Sequence, residues 1–214
     1  MDKKVLLEAV KKAKAESSKR NFNQTVEMII SLKDMDMNKP EQQLDFFITT
    51  SKSLGIKRSV CALVGPELKD EAKKVCDHVV NQSDFGKLKG PDVKKLAKKH
   101  DFFIAQANIM PQVATVFGRF LGPRGKMPNP KAGSIVGPKA PLKPVYEKLQ
   151  NTIRVSAKKS PVVQVIVGKE DMSDAELAQT AWFIYDQVIH KLPKEHNNVR
   201  DVYLKLTMGK SVKA

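Results

Sequence analysis

The apolar residues follow one spacing at the two ends of the chain and a different spacing in its middle. Near the C-terminus, residues 199–208 alternate strictly between apolar and polar side chains, which predicts a strand with one side facing solvent. Residues 25–33 alternate in a similar way, while residues 3–16 and the segment between Ser173 and Pro193 have the spacing of helices with one apolar face. The terminal segments therefore predict a two-layer α+β domain whose sheet keeps one polar face.

In the middle of the chain, short apolar runs alternate with helical patterns. The strands predicted over residues 60–64 and 101–106 are separated by amphipathic helices, an order typical of βαβ units and a parallel sheet. A parallel sheet covered by its own helices does not share a core with the terminal segments. The sequence thus predicts a split two-layer α+β domain, residues 1–57 and 152–214, with an inserted Rossmann-like parallel-sheet α/β domain, residues 58–151.

Charge is the feature of the composition that bears on function. The 214 residues include 38 Lys and Arg against 23 Asp and Glu, and the net charge of +15 implies an acidic partner such as nucleic acid. The excess is +6 in the split domain and +9 in the insert. Basic composition does not by itself distinguish RNA from DNA. The longest apolar runs have five residues, far fewer than the roughly 20 that cross a bilayer, so we expect no membrane-spanning segment.

Residues 118–133 are the segment most suggestive of phosphate chemistry, because four Gly and three Pro are interspersed with basic residues. A Walker A loop, however, needs a Gly five residues before its Gly-Lys pair and a Ser or Thr after it. Phe120 and Met127 hold those positions, which disfavours a nucleotide triphosphatase. The His, Cys and acidic residues show no catalytic or metal-binding spacing either. We therefore predict no catalytic residue, no metal site and no cofactor.

The polar side of the split-domain sheet is the more promising binding surface. If the strands at 25–33 and 199–208 are neighbours, hydroxyl, acidic, basic and aromatic side chains meet at one end of it. Hydroxyl groups and Glu can engage ribose 2′-OH groups, Lys and Arg can bind phosphates, and an aromatic ring can stack on a base. A sheet face that is merely solvated is the alternative. The candidate RNA-binding residues at this end are Lys19, Arg20, Phe22, Thr25, Glu27, Lys205 and Thr207.

Three stretches of the chain carry specific motifs. The most specific is Leu121-Gly-Pro-Arg-Gly-Lys-Met-Pro-Asn129, which continues as Pro130-Lys-Ala-Gly-Ser-Ile135. The other two are Lys19-Arg-Asn-Phe-Asn-Gln-Thr-Val-Glu27 and Tyr203-Leu-Lys-Leu-Thr-Met-Gly-Lys210. With these stretches the sequence resembles the L-one family of large-subunit ribosomal proteins over essentially its whole length. The segment Asp101-Phe-Phe-Ile-Ala-Gln106 is more similar to archaeal than to bacterial members.

The resemblance implies a function without catalysis. A member of this family binds large-subunit rRNA to form the mobile stalk near the tRNA exit site, where it assists release of deacylated tRNA. The resemblance also implies repression of translation through binding to the protein's own mRNA. The expected protein is cytoplasmic, bound to the ribosome, monomeric when free and not associated with a membrane.

The resemblance further implies which residues contact RNA. Its motif positions correspond here to Phe22, Thr25, Glu27, Gly168, Lys169, Thr207, Met208 and Gly209. Because the main grip is assigned to the split domain, we expect the insert to make weaker contacts with tRNA or neighbouring RNA. The candidates for these secondary contacts are Arg124, Lys126 and Lys131. Two other functions stay open at this point: a nucleotide-binding enzyme that uses the parallel sheet, and a basic DNA-binding architectural protein.

Overall fold

The computed structural model describes residues 2–214, which divide into two compact units. The first unit consists of residues 2–56 and 151–214, and the second unit consists of residues 57–150. Each boundary lies one residue before the position expected from the sequence. In chain order the helices and strands are α1 Lys3–Ala15, β1 Thr25–Leu32, β2 Leu44–Thr49, β3 Val60–Val64, α2 Lys69–Val75, β4 His78–Asn81, α3 Gly90–Lys99, β5 Phe102–Gln106, α4 Met110–Leu121, β6 Ile135–Val136, α5 Leu142–Gln150, β7 Thr152–Ala157, β8 Val162–Lys169, α6 Asp174–Ile189, β9 Val199–Leu206 and β10 Val212–Lys213.

The first unit is built around an antiparallel sheet with the strand order β10-β9-β1-β8. Alternate residues of β1, namely Val26, Met28 and Ile30, are buried and face the two long helices α1 and α6. The intervening residues of the strand are only half buried. Since both helices pack on the same side, the sheet has one covered and one open face, as the alternating pattern predicts.

Helix α6 begins where the sequence indicates. The Ser173 hydroxyl accepts a hydrogen bond from the backbone N–H of Glu176 at 3.4 Å, as in a capping box, and it also donates to the Glu176 carboxylate at 2.8 Å. The side chains that form the apolar stripe of this segment are buried against the sheet: Leu177, Ala181, Ile184, Val188 and Leu192.

Strands β2 and β7 form a separate antiparallel ribbon in the first unit. Asp45 on β2 holds the ribbon together, because its carboxylate accepts two hydrogen bonds from the Arg154 guanidinium at 2.8 and 2.9 Å. Lys158 approaches the same carboxylate to 2.7 Å. These two cations lower the pKa of Asp45 to about 2, with the Arg154 hydrogen bonds the largest cause.

The second unit contains the predicted parallel sheet, in the order β4-β3-β5-β6. Neighbouring residues of β3 point to opposite sides, so Cys61 packs with helices α3 and α4 while Ala62 packs with α2 and α5. The sheet is thus covered on both faces, which confirms the Rossmann-like α/β fold class. Within residues 2–214, no helix combines the length and the apolar character needed to cross a bilayer.

Candidate nucleic-acid interface

The register of the first-unit sheet brings many of the predicted contact residues to one end. Strand β1 pairs with β9 so that Glu27 lies opposite Lys205, which confirms that these strands are neighbours. On its other edge β1 pairs with β8, and Thr25 lies opposite Lys169. The side chains of these four residues are all half buried. Residues that are far apart in the sequence therefore lie together at one end of the open face of the sheet.

Hydrogen bonds fix the polar groups at this end. The Lys169 ammonium donates to the Thr25 hydroxyl at 3.1 Å and to the Asn23 carbonyl at 3.3 Å. The Thr207 hydroxyl accepts from the Thr25 backbone N–H at 3.1 Å and donates to the carbonyl of the same residue at 3.3 Å. An ammonium and two hydroxyls are thus held in place before any ligand arrives. Such groups suit phosphate and ribose oxygens.

Two large apolar side chains lie in the open beside these groups. Phe22 is 54% exposed and Met208 is 58% exposed, and among the described residues only Val5 joins them as a large apolar side chain in the exposed class. An exposed ring next to fixed hydrogen-bonding groups offers a surface on which a base can stack. We call this group of residues the sheet-end surface: Phe22, Thr25, Lys169, Thr207 and Met208.

The buried side chain of Gln24 holds the backbone around the sheet-end surface in place. Its side chain is fully buried; the amide oxygen accepts from the Met208 backbone N–H at 3.2 Å, and the amide nitrogen donates to the Ser17 hydroxyl at 3.2 Å. The same nitrogen lies 3.4 Å from the Ser18 carbonyl. Gln24 therefore links the segment after α1 to the turn after β9. Gln24 lies two residues before Val26, so in an extended strand both side chains point towards the core. A polar residue at such a position is the sequence signal that could have identified Gln24 as an organising residue.

Gly168 lies at an irregular position of β8, and its contact with RNA stays a prediction. One extra residue of β8 lies between the pairs Val26–Gly168 and Glu27–Ile166, forming a bulge that turns position 168 towards the core. A Cβ atom at this position would lie 2.7 Å from both the Leu177 Cδ2 and the Met172 Sδ atoms. The missing side chain thus allows Leu177 and Met172 to pack closely at this position.

Gly209 also has a packing role. A Cβ atom there would lie 3.3 Å from the Leu206 Cβ and Ser17 Oγ atoms, at the upper limit of a tight contact. Its backbone N–H donates to the Leu206 carbonyl at 2.9 Å and closes the turn that carries Met208. The glycine shapes this turn.

Lys19 and Arg20 are exposed in the segment that precedes β1, where sequence analysis placed them at the margin of the surface.

The predicted secondary contacts in the second unit divide into two kinds. Arg124 and Lys131 are exposed and can reach a ligand. Lys126 differs, because its ammonium donates to the carbonyls of Ala97 at 3.1 Å and His100 at 2.7 Å. It therefore satisfies carbonyl groups at the C-terminal end of α3, which gives it a structural role, while its contact with RNA stays a prediction.

A side chain of the protein occupies the crevice in which a nucleotide-binding α/β fold takes its ligand. This crevice lies at the carboxyl ends of β3 and β5, where the strand order reverses. Gln106 is fully buried there; its amide oxygen accepts from the Gly65 N–H at 2.9 Å, and its amide nitrogen donates to the Glu67 carboxylate at 3.0 Å. Within residues 2–214, no group of three or more His, Cys, Asp or Glu side chains is arranged to hold a metal ion. The arrangement at Gln106 disfavours the nucleotide-binding alternative.

Comparisons with known proteins point in one direction. Residues 11–210 match the model of a family described as "Ribosomal protein L1p/L10e family". The chain is 43% identical to the large ribosomal subunit protein uL1 of Nanoarchaeum equitans over 98% of this chain and 99% of that protein. It is 41% identical to the uL1 protein of Thermococcus kodakarensis, over 99% and 97%, and 35% identical to that of Methanocaldococcus jannaschii, over 100% and 96%.

Proposed function

The chain belongs to the ribosomal protein L1p/L10e family, and we propose that it grips large-subunit rRNA through the sheet-end surface of its first unit. It is a structural RNA-binding protein of the large ribosomal subunit and not an enzyme. Held at this surface, the protein helps to form the mobile stalk near the tRNA exit site and assists the release of deacylated tRNA. Family membership supports this role over the enzyme and DNA-binding alternatives.

The observation that carries the proposal is the exposure of Phe22 and Met208 beside a pre-ordered polar network. Among the described residues only three large apolar side chains are this exposed, and two of them lie beside an ammonium and two hydroxyls whose positions are already fixed. A preformed surface of this kind loses little conformational freedom on binding. It can therefore select an RNA by shape and by contacts to riboses and bases.

The charge distribution is compatible with a specific site in the less basic unit. Attraction between basic side chains and phosphates is largely independent of sequence, whereas specificity needs groups held in defined positions. Residues 57–150 carry 18 basic and 8 acidic side chains, so the second unit supplies +10 of the net charge, and the first unit supplies the ordered groups. We assign specific recognition to the first unit and weaker contacts, with tRNA or neighbouring RNA, to the second.

Repression of the protein's own mRNA uses the same surface in this proposal. An mRNA segment with the shape of the rRNA site would meet the same hydroxyls, ammonium and ring. The two RNAs then compete for one site. Competition binding measures this directly: the rRNA fragment should displace a fragment of the protein's own mRNA, and simultaneous binding of both would contradict a shared surface.

Substitution of Phe22 tests the proposed function. Loss of base stacking on an aromatic ring costs about 1 to 3 kcal/mol, so we expect Phe22→Ala to weaken binding of the cognate rRNA fragment by about 5- to 150-fold. Val5 is the matched control, since it is 41% exposed on α1 and lies outside the sheet-end surface. Val5→Ala should leave the affinity unchanged. Equal affinities for the Phe22→Ala variant and the wild type would refute the assignment.

A further inference from the structure

Helix α3 of the second unit carries a concentration of positive charge on its solvent side. Val93 and Ala97 are buried, and the side of the helix opposite to them carries only lysines beyond its first turn. Asp92, in that first turn, is the acidic residue of the helix. The exposed lysines are Lys94, Lys95, Lys98 and Lys99.

These lysines repel one another. Lys94 and Lys98 are four residues apart, as are Lys95 and Lys99, and like charges at this spacing destabilise a helix. Within residues 2–214, no carboxylate lies within ion-pair distance of any of the four lysine ammonium groups, although Lys98 and Lys99 gain from the negative end of the helix dipole. A bound polyanion would remove the repulsion.

The motif loop adds arginines to this face. Because the Lys126 ammonium binds the carbonyls of Ala97 and His100, the loop after α4 is tied to the C-terminal end of α3. Arg124 in that loop and Arg119 on α4 are both exposed, and α4 packs beside α3 on the same side of the parallel sheet. We define the α3 basic face as Lys94, Lys95, Lys98, Lys99, Arg119 and Arg124.

The chemistry of the α3 basic face favours one class of partner. Protein interfaces are depleted in Lys and are anchored by buried aromatic or aliphatic side chains. Single-stranded nucleic acid is bound on exposed aromatic rings. The large apolar side chains in the exposed class among residues 2–214 all belong to the first unit, so the α3 basic face has neither kind of anchor. A surface that has positive charge but no exposed apolar or aromatic side chain is suited to the regularly spaced phosphates of a nucleic-acid duplex.

We propose that the α3 basic face docks on the phosphate backbone of a double-stranded RNA segment. This inference extends the proposed RNA-binding function to a second surface, separate in the sequence from the sheet-end surface. The secondary RNA contacts predicted from the sequence were Arg124, Lys126 and Lys131. In the α3 basic face Arg124 remains a contact, and Lys126 only positions the loop. Contacts of this kind attract and orient an RNA without reading its sequence.

The test compares two full-length variants that lose the same charge. One carries Lys94→Gln, Lys95→Gln, Lys98→Gln and Lys99→Gln, and Gln preserves helix propensity. The control carries four Lys→Gln changes on the helices that cover the opposite face of the parallel sheet, at Lys69, Lys73, Lys74 and Lys143. The probe is a double-stranded RNA of about 16 base pairs with a sequence unrelated to ribosomal RNA, and binding is measured over a range of salt concentrations.

We expect the α3 variant to flatten the slope of log K against log salt by about 2 to 3.5 units, since each duplex phosphate contributes about 0.9. The control should change the slope by less than about one unit. Equal effects of the two variants would show that net charge alone governs binding and would overturn the proposal. Phe22→Ala should leave duplex binding intact, so failure of the second surface can be told apart from failure of the first.

Crosslinking on ribosomes identifies the class of partner. A photo-crosslinking amino acid placed at position 98 should react with RNA, whereas the same group at position 73 should not. Crosslinks from position 98 to protein alone, or none above the position-73 control, would overturn the assignment to RNA.

Discussion

At the scale of single residues, the bulge in β8 decides which side chains face the core and which reach the sheet-end surface. The extra residue turns Gly168 towards Leu177 and leaves the ammonium of the next residue, Lys169, on the sheet-end surface. A strict two-residue alternation cannot reveal such a shift, because a bulge reverses the phase of the strand. The inward phase of Gln24 marks it as a buried polar residue, yet alternation alone does not identify what its side chain binds. Its partner, the N–H of Met208, lies on a turn distant in sequence.

Opposite effects are expected from substitutions at these neighbouring positions. Gly168→Ala should lower the free energy of unfolding by about 1 to 2 kcal/mol, because the new methyl group overpacks against the flexible ends of Leu177 and Met172. Its folded form should bind the rRNA fragment as the wild type does. Lys169→Met should do the reverse, weakening RNA binding with little change in stability. Chemical denaturation and fragment binding separate the two, and an RNA defect in a stable Gly168→Ala variant would contradict the packing role.

At the scale of elements, the sequence predicted those whose side chains repeat regularly and missed those governed by local exceptions. Strands β1 and β9 were predicted because their alternation is nearly unbroken. Helix α5 was not, since Pro144 interrupts its pattern, yet Pro144 lies in the first turn, where its missing N–H would have no helical partner. The pairing of β2 with β7 joins segments roughly 100 residues apart, and no periodicity specifies such a partner.

The β2–β7 ribbon should depend on Asp45 in a pH-dependent way. The Arg154 guanidinium is the main cause that lowers the pKa of Asp45 to about 2, from a usual value of 3.8. The carboxylate therefore stabilises the fold above about pH 4, and this contribution is lost as the pH falls towards 2. Solvent screens the partly exposed pair, so we expect Asp45→Asn to cost about 1 kcal/mol at neutral pH.

Equilibrium unfolding of both proteins between neutral pH and pH 2 checks this expectation. The difference between wild type and Asp45→Asn should shrink progressively as the pH falls towards 2, where about half of the Asp45 carboxylate is protonated in the folded state. Glu16→Gln serves as the control, because the Lys12–Glu16 pair is exposed and its atoms are 3.9 Å apart. A pair of that kind contributes little at any pH. A constant difference at all pH values would mean that the Asp45 charge is not the stabilising feature.

At the scale of the whole molecule, hydrogen bonds within each unit join the two chain segments that lie next to the boundary between the units. In the second unit the Gln150 side chain accepts from the Arg58 N–H and donates to the Arg58 carbonyl, both at 2.8 Å. In the first unit the Thr50 N–H donates to the Asn151 carbonyl at 2.9 Å. The core of the first unit also draws no side chain from residues 57–150. These contacts imply that the first unit can exist alone.

A shortened chain in which a flexible linker joins residues 1–56 to 151–214 should therefore fold and bind the rRNA fragment nearly as tightly as the full chain. Its salt dependence should be weaker, because the α3 basic face is gone. Circular dichroism and fragment binding provide the measurements. The isolated second unit should be measured in the same assay. If it bound the rRNA fragment with the specificity of the full chain, the specific site would lie in the second unit and our assignment would be wrong.

The split of the first unit sets an order of events during synthesis. Strand β1 has β8 and β9 as its neighbours, and both are made only after the whole second unit has been translated. Roughly 130 residues separate the end of β1 from the start of β8, which at about 5 to 20 residues per second is a delay of about 7 to 26 s. The inserted unit can complete its fold during this interval, while α1, β1 and β2 wait as an unpaired nascent segment. The sheet-end surface, where we propose that RNA binds, is consequently the last part of this protein to form.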